Sequence, residues 1–300
     1  MGKKTDGVEN VYFYNHYGNG DIFESLEFVK EWMEILGERN YFYAHGKNPK
    51  IVRELSNVTS MNVTEEMHAM RAIHFNNNTS SVFINTWLGR DGRYVLPGIG
   101  VVVEQLWRMH NHMLNSIGLR PLIKPIIEYV PNLNYNLYPD CEHVDFWLRS
   151  EAKHRKIWLI DNGNVQSNQA KNFDFNPIIS KVAQEVPNDF FVTTQRHGIM
   201  NTNVWVLDEI IQSKDGFDLP ELSYLSRFSD GSIGRNSGPH VYTQVRDNWL
   251  NPDFKFLSFT YQRQAAYFIL DQPVQAKKYW SPYLNDKQIV ENILEFVREV

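Results

Sequence analysis

The chain has 300 residues, of which 42% are hydrophobic and 14% aromatic, and its formal net charge is −5. This composition supplies sizeable hydrophobic cores and excludes a disordered chain, and its acidic balance excludes a general nucleic-acid binder. The length favours two domains. The single cysteine excludes an intramolecular disulfide framework, the polar first residues lack a signal peptide's apolar core, and no apolar run is long enough to span a membrane. We therefore expect a cytoplasmic protein with no membrane span and no nucleic-acid partner.

In the first half of the chain, short apolar runs alternate with apolar residues at helical spacing. Strands are predicted at residues 11–14, 41–44 and 81–87, and helices at residues 22–36, 50–55 and 101–117. Gly37 and Gly118 follow the two long helices, where glycine commonly ends a helix. The Gly20-Asp21 pair stands in a polar loop between the first strand and the first helix.

The second half of the chain repeats this rhythm. A charged stretch at residues 149–155 precedes it, and the boundary is placed there, which gives domains of residues 1–150 and 151–300. Strands are predicted at residues 157–160, 189–193, 203–206 and 254–258, and helices at residues 178–186, 219–228 and 286–297. The last helix belongs to the second domain or packs back on the first.

Strands that are separated by helical runs predict βαβ units with right-handed crossovers and mainly parallel sheets. The expected fold class is therefore α/β, with two Rossmann-like, doubly wound domains that face each other across a cleft. In such domains ligands bind beyond the carboxyl ends of the strands, where the polar loops of this chain stand.

The run Ser232-Ile-Gly-Arg-Asn-Ser-Gly-Pro-His240 is the most informative stretch of the chain. Two glycines, Gly234 and Gly238, bracket three polar residues, which are Arg235, Asn236 and Ser237. Glycine allows a close approach of the backbone, and apolar residues at helical spacing follow, so the run predicts an anion site at a helix N-terminus. It matches neither of the nucleotide-binding patterns G-x-x-x-x-G-K-[ST] and G-x-G-x-x-G.

A second polar loop, residues 161–172, follows the apolar run at residues 156–160. Its candidate ligand-binding residues are Asn164, Ser167 and Lys171. Two such loops in one half of the chain predict a ligand that bears phosphate.

The run Lys156-Ile-Trp-Leu-Ile-Asp-Asn-Gly-Asn-Val-Gln-Ser-Asn-Gln-Ala-Lys-Asn-Phe-Asp-Phe175 resembles the start of the nucleotide-binding half of GT-B glycosyltransferases. So does Asp218-Leu-Pro-Glu-Leu-Ser-Tyr-Leu-Ser226 before the Ser-Gly-Pro loop. The nearest group is the heptosyltransferase-like branch, in which the first strand leads to a Gly-Asp pair and a helix, as Gly20-Asp21 does here. The similarity covers most of the chain in outline. The branch carries an Asp-Thr-Gly-type loop where this chain has Asn236-Ser237-Gly238, so the donor stays open.

The resemblance implies a catalytic role for Asp21, as the base that takes the proton of an acceptor hydroxyl; the alternative is a helix N-cap. His16 is a second candidate base, or else a residue at the surface or one that supports the site without touching the substrate. The related transferases place a lysine against the donor phosphates, here Lys171, and its alternative is a solvated loop lysine.

The other donor-binding candidates each have a structural alternative. The planar guanidinium of Arg235 suits a diphosphate or forms a salt bridge at a domain edge. Ser237 and Gly238 bind through a hydroxyl and an N–H, or only cap a helix. Glu221 bonds ribose hydroxyls or is an exposed helix position. The donor-binding set is completed by Asn164, Ser167, Gly234 and Asn236.

No metal site is expected, because no D-x-D carboxylate pair stands on a predicted loop and His110 and His112 point to different faces of a helix. The leading prediction is an inverting, metal-independent glycosyltransferase with no bound cofactor. It would move a sugar from a nucleotide-diphosphate donor, the nucleotide sugar, to a glycan or a small hydroxylated acceptor. The alternatives are a nucleotide-sugar epimerase or hydrolase on the same fold, and a non-catalytic glycan- or nucleotide-binding protein.

Overall fold

The computed structural model of the chain describes residues 5–70, 72–87, 102–166, 169–269, 274–282 and 285–299. Its contacts divide the chain into two compact units, Met1–Asn132 and Leu133–Val300. Each unit is an α/β domain built around one sheet.

The sheet of the first unit has five strands among the described residues. They are β1 (Asn10–Tyr14), β2 (Asn40–Ala44), β3 (Val58–Met61), β4 (Ile73–Asn76) and β5 (Ser81–Asn85). Their order is β3-β2-β1-β5-β4, and each neighbouring pair is parallel except β4 with β5. The helices are α1 (Asn19–Leu36), α2 (Glu65–Ala69) and α3 (Val102–Ser116), with 3₁₀ turns at Pro49–Val52, Asn77–Thr79 and Ile126–Tyr129.

Helix α1 covers the predicted range but begins at Asn19, three residues before the predicted start at residue 22. Ile22, Leu26 and Val29 recur at helical spacing and are buried, which packs this face of the helix into the core. The helix ends at Gly37, whose φ of +71° is a conformation that glycine adopts without steric cost.

The sheet of the second unit has six strands among the described residues, all parallel, in the order β11-β10-β9-β6-β7-β8. They are β6 (Ile157–Ile160), β7 (Phe190–Thr193), β8 (Val204–Val206), β9 (Gly231–Gly234), β10 (Lys255–Phe259) and β11 (Lys277–Ser281). The helices are α4 (Cys141–Ser150), α5 (Asn176–Glu185), α6 (Leu207–Ile211), α7 (Leu219–Ser226), α8 (Gly238–Tyr242), α9 (Arg246–Leu250) and α10 (Asp286–Arg298), with 3₁₀ turns at Tyr135–Leu137 and Arg263–Ala265.

The core of the second unit lies between the sheet and the helix pair α5 and α10. Every residue of β6 is buried, as expected for a parallel strand covered on both faces. Ile289, Ile293 and Phe296 of α10 belong to the same apolar cluster as the β6 side chains. The last helix therefore packs within the second unit.

The division of the chain falls between Asn132 and Leu133, before the position chosen from sequence, residues 150 and 151. Helix α4 explains the difference, because it packs on α6 and α7. Its Trp147 also lies against Phe190 and Trp205, with ring centroids 5.8 and 5.6 Å apart. The charged stretch at residues 149–155 is the end of α4 and the turn that leads into β6.

Both sheets reverse their strand order beside the first strand of the unit. In the first unit this switch point lies between β1 and β5, and in the second between β6 and β9. The two units are thus Rossmann-like and doubly wound, as predicted, and ligands of such sheets bind beyond the carboxyl ends of the strands at the switch point. Within the described residues, no helix combines the length and the apolar character needed to cross a membrane.

Candidate functional site

At the switch point of the second unit, Asp161 joins the two polar loops that the sequence predicted separately. Asp161 directly follows β6 and is buried. Ser237 Oγ donates to its Oδ2 at 2.7 Å, and the N–H of Gly163 donates to its Oδ1 at 3.2 Å. Burial raises the pKa of the Asp161 carboxyl, while the bond from Ser237 and the nearby Arg235 guanidinium lower it. Sequence reasoning did not select Asp161, although it is the first polar residue after a buried strand.

The predicted close approach at Gly234 is an approach between protein segments. A Cβ at Gly234 would lie 2.9 Å from Asp161 Cβ and 2.9 Å from His240 Cβ, both part of the protein interior. A Cβ at Gly238 would meet nothing within 4 Å. Packing of the loop after β9 against β6 therefore requires glycine at position 234. At position 238 the surrounding space would accept a side chain.

The guanidinium of Arg235, a candidate for binding a diphosphate, is buried within the protein. The residue is 0% exposed, and its Nη2 and Nη1 donate to the carbonyls of Gly163 at 2.6 Å and Phe173 at 3.1 Å. Its guanidinium carbon lies 4.8 Å from the ring centroids of Phe173 and Phe175. Arg235 thus ties the loop after β6 to the loop after β9, and a ligand would have to break these contacts to reach its planar face. Besides these contacts, its charge interacts with the Asp161 carboxyl.

Asn236 is held by contacts within the protein, and the helix that follows it is short. Asn236 has a φ of +42°, accepts from Gln244 Nε2 at 2.7 Å and donates to the carbonyl of Ala265 at 2.8 Å. Its own carbonyl accepts from Gln169 Nε2. Helix α8 begins at Gly238 but has only five residues, so few aligned peptide dipoles stand behind the predicted anion site.

The loop after β6 forms one wall of a polar cavity of about 350 Å³. Asn164 is exposed and lines this cavity, together with Gln195 from the loop after β7. Lys171 is exposed on the same loop as Asn164. Ser167, the third candidate of this loop, lies outside the described residues.

Glu221 is fully buried in α7. The alternative of an exposed helix position is therefore wrong. A ribose would reach this carboxyl only if α7 moved, since none of the residue's surface is accessible to solvent.

In the first unit, Asp21 occupies the first turn of α1 near the switch point. It is the third residue of the helix rather than the cap itself, and its Oδ2 accepts from the N–H of Gly18 at 2.7 Å in a capping box. Burial raises the pKa of Asp21 to about 6, against the lowering effects of the Gly18 bond and of the Lys47 ammonium. The residue is half-buried, so one carboxyl combines a capping bond with a proton affinity suited to a base near neutral pH.

His16 lies in the loop between β1 and α1, as predicted. It is half-buried, and its ring lies at a tilt against Tyr17, with centroids 4.0 Å apart, and meets His68 edge-on at 5.0 Å. With these two rings as neighbours, His16 fits the alternative of a residue that supports the loop, and its role as a base stays a prediction.

A buried polar cluster next to Asp21 was not found from the sequence. Ser25 Oγ lies 3.2 Å from Thr86 Oγ1, which lies 2.7 Å from Tyr43 Oη. Glu24 is 5% exposed, and burial, with a smaller contribution from Asp21, raises its pKa well above the ordinary value. These residues come from α1, β2 and the end of β5, so no local pattern in the sequence brings them together.

The described residues contain no group of three or more His, Cys, Asp or Glu side chains that could hold a metal ion. His110 is buried and its Nδ1 accepts from Trp32 Nε1 at 2.9 Å, which gives this histidine a place in the core.

The overall fold is similar to that of solved glycosyltransferases. The ADP-heptose LPS heptosyltransferase II of E. coli has a TM-score of 0.55 and 9% identity, with 97% of this chain and 100% of that one covered. E. coli heptosyltransferase WaaC with ADP has a TM-score of 0.54 and 8% identity, with 96% of this chain and 98% of that one covered. The glycosyl transferase family 9 structure from Veillonella parvula has a TM-score of 0.51 and 12% identity, with 95% of this chain and 91% of that one covered. No protein-family model and no curated protein matches the chain. The predicted GT-B-like fold is thus confirmed.

Proposed function

We propose that this chain is a glycosyltransferase that moves a sugar from a nucleoside diphosphate to a glycan or a small hydroxylated acceptor, with inversion and without a metal ion. The observation that carries the proposal is the junction of the two polar loops at the β6/β9 switch point. There the Asp161 carboxyl holds Ser237 at 2.7 Å. Two loops fixed to each other at this place form a rigid site for a ligand with several polar groups.

The second unit binds the donor in this proposal. The backbone N–H groups around Gly238 bond the diphosphate, on a loop that the bond from Ser237 to Asp161 holds in place, and the exposed ammonium of Lys171 offsets its charge. Arg235 acts from behind the loop, as a buried cation that holds its carbonyls in place. The similarity in fold to heptosyltransferases, one of them solved with ADP, supports a nucleoside diphosphate as the ligand class.

The first unit supplies the base. Asp21 removes the proton of the acceptor hydroxyl while that oxygen forms its bond to the sugar and the nucleoside diphosphate leaves. A pKa of about 6 leaves most of the carboxyl ionised at pH 7 yet makes it more basic than an ordinary aspartate. Bond formation on the face opposite the leaving group gives inversion.

The test is turnover by Asp21→Asn. The asparagine Oδ1 still accepts from Gly18, so the helix start should survive while the base is lost. We expect kcat to fall by about 10²–10⁴-fold with donor affinity unchanged. Asp286→Asn, in the first turn of the exposed start of α10, is the matched control and should leave kcat unchanged.

Two experimental outcomes would indicate a different function. Release of nucleoside diphosphate at the full rate without any acceptor would indicate a hydrolase or an epimerase. Donor binding without turnover against a broad set of acceptors would indicate a binding protein. Unchanged turnover in Asp21→Asn would remove Asp21 from the reaction and leave its capping bond as its role.

A further inference from the structure

We propose that the polar cavity of about 350 Å³ beside the loop after β6 binds the sugar ring of the donor, and that Asn164, Asn176 and Gln195 determine which sugar fits. This inference rests on the proposed function and extends it, because it assigns a part of the donor to a cavity that the nucleotide argument does not use.

The chemistry of the cavity lining favours hydroxyl groups over phosphates. Five carboxamide side chains line it, against one carboxylate, Asp174, and one guanidinium, Arg196. Arg196 Nε donates to Asp208 at 2.9 Å, so part of its charge is offset by an exposed ion pair. A carboxamide both donates and accepts hydrogen bonds, which matches the hydroxyls of a sugar, whereas a diphosphate needs donors and positive charge.

The lining is also unsuited to a nucleotide base. Phe173 is the aromatic residue of the lining, and its ring packs against Phe175 and Phe259, with centroids 4.5 and 5.7 Å away. The guanidinium of Arg235 lies 4.8 Å from the same ring centroid. With these neighbours around the ring, Phe173 supports the wall and does not offer a free face for stacking.

Two of the carboxamides hold the walls of the cavity in place. Asn162 Oδ1 accepts from the N–H of Gln195 at 2.9 Å, and its Nδ2 donates to the Gln195 carbonyl at 3.2 Å. Asn172 makes the same two-way contact with the backbone of Val165, at 2.8 and 3.0 Å. The loops after β6 and β7 are therefore fixed to each other before any ligand binds, which lowers the entropic cost of binding.

The remaining three carboxamides are available to a ligand. Within the described part of the chain, the side chains of Asn164, Asn176 and Gln195 have no hydrogen-bond partner. The Gln195 amide lies directly over Gly163, where a Cβ would be only 2.6 Å from Nε2. The backbone of the donor loop thus approaches the cavity closely, which places the sugar beside the diphosphate loops.

The experiment is a calorimetric titration of the whole chain with ADP, GDP and UDP and with a hexose conjugate of each. The double variant Asn164→Ala/Gln195→Ala should weaken the sugar conjugate about tenfold, the effect of one to two lost hydrogen bonds, and leave the free nucleoside diphosphate within about twofold. Asn188→Ala is the matched control, because Asn188 is an exposed carboxamide before the other end of β7. It should change neither affinity.

Two results would overturn the inference while leaving the donor site intact. An unchanged affinity for the sugar conjugate in the double variant would show that the sugar lies elsewhere. An equal loss for conjugate and free nucleotide would assign the cavity to the nucleotide. If the unaltered chain binds none of these ligands, the proposed function fails, and the inference fails with it.

Discussion

At the scale of single residues, two charged groups of the loops after β6 and β9 bind other parts of the protein and stabilise these loops. Asp161 and Arg235 are buried within the loops that they connect. Removing one member of such an arrangement leaves the other charge and several carbonyls without compensation. The stability of the loops is therefore expected to depend on these two residues more than on the exposed Lys171.

Arg235→Ala should lower the free energy of unfolding by about 3–5 kcal/mol, because the carbonyls of Gly163 and Phe173 lose their donor and Asp161 loses the nearest positive charge. Urea denaturation measures this change. Arg196→Ala, an exposed arginine with a surface ion pair, is the control and should change stability by less than about 1 kcal/mol. A loss in Arg235→Ala as small as in the control would show that the buried guanidinium does not hold the loops.

Glu24 provides a prediction of pH dependence. Its pKa is raised in the folded protein, so the folded state binds the Glu24 proton more tightly than the unfolded chain does. The resulting contribution to stability is complete below the ordinary pKa of a glutamate and is lost as the pH rises toward the raised value. Glutamine does not titrate, so Glu24→Gln does not lose this stability as the pH rises. The Tm of the variant minus that of the unaltered chain should therefore increase between pH 4.5 and pH 7.5.

Glu34→Gln is the matched control for this measurement, since Glu34 is an exposed glutamate of the same helix that contacts Lys124. A Tm difference for Glu24→Gln that stays constant over this pH range would contradict the account of its burial.

At the scale of elements, strands with a visible apolar run could be predicted, including the edge strand β8, whereas the edge strands β3, β4 and β11 and the central, glycine-rich β9 could not. The strands β1 and β6 are short apolar runs buried in the sheet, and this pattern is visible in the sequence. The strand β11 is half-exposed and reads Lys-Lys-Tyr-Trp-Ser, and β4 pairs on one side only, so neither has the alternating or continuous apolar pattern of a strand. Their pairing depends on the neighbouring strand and is absent from the local sequence.

Gly234 and Gly238 form a matched pair of positions for testing how the loop after β9 packs against β6. Gly234→Ala should cost about 1–3 kcal/mol of stability, because its Cβ would overlap Asp161 and His240 at 2.9 Å. Gly238→Ala has open space and is the first residue of α8, where alanine favours the helix, so it should be neutral or stabilising. Thermal unfolding of both variants compares them. Equal changes in Tm for the two variants would show that the loop after β9 can move away from β6 without loss of stability.

At the scale of the whole molecule, the fold class followed from the rhythm of strands and helices, while the site followed only in part. The loops after β6 and β9 could be located because polar residues follow buried strands. The burial of Arg235 and Glu221 could not be seen, since it depends on side chains from other elements. Gln195 was missed because the loop after β7 was not recognised as a site, and Gln195 comes near Gly163 only in the folded sheet.

The division into two units predicts how fragments behave. A fragment of residues 133–300 should fold cooperatively, since it contains a complete sheet and its own core. A fragment of residues 151–300 lacks α4 and the contacts of Trp147, and should be less stable by at least about 3 kcal/mol. Urea denaturation of the two fragments, followed by circular dichroism, measures the difference. Equal stabilities would place the boundary after α4, as the sequence indicated.

The most direct test of the central claim is a thermal-shift titration of the whole chain with ADP, GDP, UDP and CDP. A ligand that binds only the folded state adds about 2.7 kcal/mol of stability at 100 times its dissociation constant, which is a large shift in Tm. We expect one of these nucleotides to raise the Tm well above the others, and Ser237→Ala to reduce that shift. A Tm that none of the four nucleotides changes would contradict a donor site at the β6/β9 switch point and, with it, the proposed glycosyl transfer.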